Sequence, residues 1–151
     1  MAERPQTASL SPHLVCRDAA ATIAFYKAAF GAEEMFRLPD AQGKLMHACV
    51  TINGAPVMLM DENLDHGARS PLAIGGTAVV LHLMVADADA VFAKAVAAGA
   101  KPVMPLADMF WGDRYGQVED PSGHCWAIAT PKQVLSPAEI AERFSKMGKP
   151  S

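Results

Sequence analysis

The stretch Leu14-Val15-Cys16-Arg17-Asp18, with the Ala-rich run 19–30 and then Gly31-Ala32 behind it, decides the fold because it occurs twice. It returns as Leu83-Met84-Val85-Ala86-Asp87, a second Ala-rich run and Gly99-Ala100, displaced by 69 residues at the aspartate and by 68 at the glycine. An apolar strand, a helix with an acidic start and a glycine stop, repeated at one spacing, describe a supersecondary unit duplicated within a small domain. Each copy then covers apolar surface that the other leaves bare. Function is expected between the copies.

Working outward, 12–17 reads as a strand and Asp18 as the N-cap of a helix over 19–30, with Ile23, Tyr26 and Phe30 on one side. Gly31 supplies the left-handed stop. Strands follow at 33–38, 44–52 and 56–60, separated by Pro39-Asp40-Ala41-Gln42-Gly43 and by Asn53-Gly54. Alternation in the third strand sends Met46, Ala48, Val50 and Ile52 to the core and leaves His47 toward cleft or solvent. The stretch 61–76 is polar and Gly-bearing, a linker or a loop over the cleft. The second copy reads as a strand at 77–85, a helix at 89–98, and strands at 101–104, 115–119 and 124–130, the last two joined by Asp120-Pro121-Ser122-Gly123. The order βαβββ is repeated. Ser136 and Glu139 form a capping box for a terminal helix over 137–147, and the polar residues 1–9 read as a loose lead-in. The organisation is an α+β domain over 10–131, with modules 10–62 and 77–131, a linker 63–76 and a C-terminal helical tail 132–151.

With 151 residues and 51% hydrophobic content, the chain can bury one compact core. A net charge of -3 and 13 scattered Lys and Arg argue against nucleic acid, which requires a clustered basic surface. The three cysteines sit in apolar runs without CxxC spacing, as buried reduced thiols do. No apolar run approaches the ~20 residues that cross a bilayer, and the first residues lack a signal-peptide pattern. A cytoplasmic protein with no membrane partner is expected.

Three motifs carry a resemblance. They are Asp18 with Ile23-Ala24-Phe25-Tyr26-Lys27-Ala28-Ala29-Phe30-Gly31-Ala32, then Phe110-Trp111-Gly112-Asp113-Arg114-Tyr115-Gly116, then Asp120-Pro121-Ser122-Gly123-His124-Cys125-Trp126. Together they resemble the vicinal oxygen chelate superfamily of glyoxalases, bleomycin-resistance proteins and ring-cleaving dioxygenases, and its PhnB-like branch in particular. The resemblance implies two βαβββ modules packed edge to edge through their first strands, a mixed sheet curving around a cleft, and a homodimer. Members with metal chemistry take His or Glu ligands from the first and last strands of each module, so that a divalent ion can chelate neighbouring substrate oxygens. Those positions fall here on Ser11, Val80, Met58 or Leu59, and Ala127. None holds a metal well, so no metal and no cofactor are expected, although a divalent ion with other ligands stays open.

His13 and His82 lie 69 residues apart, in equivalent places of the two copies, and on the cleft-facing side of their strands. They are candidates to share the cleft floor as ligand contacts, as a metal pair, or as plain hydrogen-bonded imidazoles. Trp111, Arg114 and Tyr115 combine aromatic faces with a planar cation, which suits a flat or anionic molecule; local packing is the structural alternative. Of Asp61 and Glu62 only one can enter the cleft, and Glu62 is the candidate acid or base, against a solvated pair. His124 reads as holding its turn and His66 as a linker residue. The 9 Met suit an adaptable pocket or gap-filling in the core. The function expected is binding of a small organic, partly apolar or planar ligand by His13, His47, His82, Trp111, Arg114 and Tyr115, without the usual metal. The alternatives are a divalent-metal-dependent lyase, isomerase or dioxygenase using Glu62, and an oligomeric partner module.

Overall fold

The computed structural model describes residues 9–148, so most of the polar lead-in and the last three residues of the tail lie outside the described residues. The first module runs β1 (His13–Cys16), α1 (Ala19–Phe30), β2 (Glu33–Pro39), β3 (Leu45–Ile52) and β4 (Ala55–Asp61). A single 3₁₀ turn (Leu64–His66) and the one-turn helix α2 (Pro71–Ile74) connect it to β5 (Val80–Met84), α3 (Ala88–Ala97), β6 (Lys101–Asp108), β7 (Asp113–Glu119) and β8 (Cys125–Pro131). Helix α4 (Pro137–Met147) follows, with the expected Ser136/Glu139 capping box formed. Asp18 and Asp87 cap their helices by accepting from the backbone N–H of Ala21 and Ala90 at 3.0 and 3.1 Å. No described helix is long and apolar enough to cross a membrane.

Each module is a four-stranded sheet, in the orders β1-β4-β3-β2 and β5-β8-β7-β6, with first and last strands parallel. His13 faces Met58 and His82 faces Ala127, so the duplication holds in the strand register itself. No strand ladder joins the two sheets among the described residues, since β1 bonds only to β4 and β5 only to β8; at their edges the Asn53 amide donates to the Met84 carbonyl of β5 at 2.9 Å. The modules also meet through their helices. Helix α1 buries Ile23, Phe25, Tyr26 and Phe30, a surface too broad for its own sheet alone. It packs on α3 and on Trp126 of β8, whose ring centre lies 5.2 Å from that of Tyr26 and 4.9 Å from that of Phe30.

Two local expectations change. Met46 is 54% exposed and Leu45 is buried in its place, because a register shift between Leu38 and Pro39 turns the start of β3 over. Strand β6 continues past Met104 and Pro105 to Asp108, since it stands at the sheet edge and Pro105 falls in a register irregularity against β7, between Met104 and Ala107.

Candidate functional site

Strand alternation places Leu14, Cys16, Leu83, Trp126 and Ile128 under the helices, where all are buried. The intervening residues form the opposite face of each sheet; on the second, α4 reaches the Phe110 end, where the rings of Phe144 and Phe110 lie 5.5 Å apart. On the second sheet this face carries an aromatic ladder. His82 stacks on Tyr115 with ring centres 5.9 Å apart, Tyr115 meets Trp111 edge to face at 5.3 Å, and Trp111 meets Phe110 at 5.1 Å. Beneath it, Ala127 and Ala129 are the cross-strand partners of His82 and Tyr115, and their methyl groups leave a flat floor. Gln117 Nε2 donates to Tyr115 Oη at 2.8 Å, so the phenol hydrogen stays available to a ligand, and Trp111 Nε1 donates to Asp113 at 3.0 Å. Gly112 sets the Trp111 turn at φ 104, where a Cβ would stand 2.6 Å from the Gln133 carbonyl oxygen.

The first sheet presents a different group. The rings of His13 and His47 meet perpendicularly at 5.3 Å, and His47 lies 5.4 Å from Phe36. His13 is therefore placed beside His47, and His82 beside Tyr115; the two equivalent histidines do not form a pair.

Arg114 is not brought to the ladder. It follows Asp113 and precedes Tyr115, so alternation turns it to the helix side, where it pairs with Asp89 of α3 at 3.0 Å and with Asp108 at 3.4 Å. Glu62 is also committed elsewhere. It accepts from the Ser70 hydroxyl and backbone N–H and pairs with Arg17 at 3.4 Å, tying the linker to the end of β4. The Ser70 hydroxyl first, then its N–H and Arg17, hold this carboxyl below its ordinary range, which favours the ion over a proton-donating acid. Asp61 accepts from the N–H groups of Ala19 and Leu45, at 2.7 and 2.6 Å. Burial pushes the Cys16 thiol up to about 12 and raises that of Cys125, so neither offers a ready thiolate.

Sequence reasoning missed one residue of structural weight. Asp120 is 4% exposed and accepts from Tyr26 Oη at 2.5 Å, Trp126 Nε1 at 3.0 Å, and the N–H groups of Ser122 and His124. Ser122 Oγ bonds Thr22 Oγ1 at 2.7 Å, and His124 donates to the Val15 carbonyl at 2.8 Å. The Asp-Pro-Ser-Gly-His turn is thus the polar clasp between modules. The turn motif was visible, but its partners 94 to 109 residues away were not.

The Glyoxalase/Bleomycin resistance protein/Dioxygenase superfamily model matches residues 7–128. An uncharacterized protein of Mycobacterium bovis is 48% identical over 143 residues, covering 93% of this chain and 94% of that protein. Among solved structures, TioX from Micromonospora sp. ML1 superposes with a TM-score of 0.64 at 28% identity, over 82% of this chain and 98% of its own. A gene product from Arabidopsis thaliana gives 0.66 at 28% identity, over 82% and 99%. The PhnB protein from Bacillus cereus gives 0.64 at 22% identity, over 81% and 98%, a likeness of fold.

Proposed function

Because this chain belongs to the Glyoxalase/Bleomycin resistance protein/Dioxygenase superfamily, we propose that it binds a small, partly apolar, planar organic molecule on the open face of its second sheet. The observation that carries this reading is the ladder of His82, Tyr115 and Trp111 over the Ala127 and Ala129 floor. A flat ligand continues the stack and accepts the phenol hydrogen of Tyr115. With Arg114 turned toward α3, the face favours a neutral molecule over an anion.

The donor set does not fit the divalent metal of this superfamily. Ser11, Val80 and Ala127 offer no imidazole or carboxylate at the corresponding positions, and of Met58 or Leu59 the first offers only a thioether and the second no donor. No step is routed through such an ion. The chain is further read as a homodimer, since Phe36 and Leu38 on the first open face and Val80 and Met84 on the second are each about half exposed. A second copy gives a sheet-borne ligand the cover that one open face lacks.

Titration with planar heteroaromatic probes, read by Trp111 fluorescence and by a shift in Tm, tests the reading. Saturable binding is expected, weakened about tenfold by Tyr115→Ala, the loss of one well-stacked ring, and unchanged by Arg114→Ala. Absence of binding to every planar class would overturn it, and chelator-sensitive turnover with a bound divalent ion would favour the lyase, isomerase or dioxygenase alternative.

A further inference from the structure

The imidazoles of His13 and His47 start from β1 and β3, which are not neighbours: β4 runs between them. Rings that come within 5.3 Å from those strands therefore meet above β4. The residues β4 presents there are Met58, the cross-strand partner of His13, and Met60, two positions on and on the same face. Both methionines are half-buried. Among the described residues the nitrogens of His13 and His47 have no hydrogen-bond partner, whereas those of His66, His82 and His124 do.

The duplicated module supplies an internal comparison. In the second copy the register places Ala127 where Met58 stands, Ala129 where Met60 stands and Tyr115 where His47 stands, while His82 answers to His13. One copy has an aromatic face over two methyl groups. The other has two imidazoles over two thioethers, with the Cys49 thiol across from Met58 on the same face, a donor set with no carboxylate in it. Thioether and imidazole together select a soft, low-coordinate cation over magnesium or calcium, and the thioethers disfavour zinc relative to copper(I).

We propose that His13, His47 and the thioethers of Met58 and Met60 form a binding site for monovalent copper. The site is independent of the organic ligand read onto the second sheet. Binding forms two nitrogen and one or two sulfur bonds to the ion without change of its oxidation state.

Anaerobic titration of the full chain with copper(I), in competition with bathocuproine disulfonate, tests it. The reference protein carries Cys49→Ser and Cys125→Ser, so that accessible thiols make no contribution. One copper per chain is expected to be withdrawn from the chelator, with affinity lowered at least about tenfold by His13→Ala, by His47→Ala and by the pair Met58→Leu with Met60→Leu. His66→Ala in the linker should leave it unchanged, and circular dichroism with Tm checks that each variant is folded. A reference protein that withdraws no copper, or a smaller loss in any of the three site variants, would overturn the proposal. So would zinc competing for the site on equal terms.

Discussion

Asp120 shows how much one buried carboxylate can organise when every lone pair is used. Its oxygens accept from Tyr26, Trp126, Ser122 and His124, and no buried polar side-chain atom among the described residues is left without a partner. The phenol of Tyr26 is pushed well above its ordinary pKa, by burial first and by the charge of Asp120 second, so it stays a donor. Tyr26→Phe keeps the ring that packs on Phe30 and Trp126 but removes one donor to a buried ion. A hydrogen bond to a charged group is worth about 1.5–3 kcal/mol, so the variant should lose about 2 kcal/mol in urea unfolding with its slope unchanged. A loss below about 0.5 kcal/mol would mean that Asp120 relies on its other three donors.

At the scale of elements, most of the fold was legible because caps and alternation are local. Asp18, Asp87, Gly31 and the Ser136/Glu139 box mark helix ends through bonds spanning only a few residues, and all four devices are present. Errors arose where a partner strand decides: Met46 was turned outward by a shift against β2, and β6 survived Pro105 by standing at an edge. The site was legible in part for the same reason. Trp111 and Tyr115 are close in sequence and meet, whereas His13 with His47 and Arg114 with Asp89 required knowledge of which strand lies between and which face a helix covers. Glu62, read as an acid or base, instead anchors the linker to β4 through Ser70. Its pKa is lower in the folded chain than in the unfolded one, so its contribution is complete above the unfolded value near 4.5 and is lost as pH falls through the folded value. Urea midpoints measured from neutral pH downward should therefore show Glu62→Gln less stable than the parent by up to about 1 kcal/mol at neutral pH. The two curves should converge in acid; parallel curves would show that the charge of Glu62 does not support the linker.

For the molecule as a whole, two sheets with no shared strand ladder suggest two unfolding units, but the packing argues otherwise. One apolar cluster contains Leu14, Val50 and Leu59 of the first module together with Leu83, Val118 and Ile128 of the second. Helix α1 belongs to both layers, burying Phe25 and Tyr26, and the Asp120 clasp crosses the same boundary. Separating the modules would expose the Tyr26, Phe30 and Trp126 rings and leave Asp120 short of a donor, a combined cost large against the ~5–15 kcal/mol by which a domain is stable. Unfolding should then be one transition. Far-ultraviolet circular dichroism reports both sheets, while Trp126 fluorescence, isolated in a Trp111→Phe background, reports the boundary itself. Coincident urea curves from the two signals are expected. A fluorescence change that precedes the loss of secondary structure would show modules parting before they melt, and the helices rather than a common core would then be all that joins the copies.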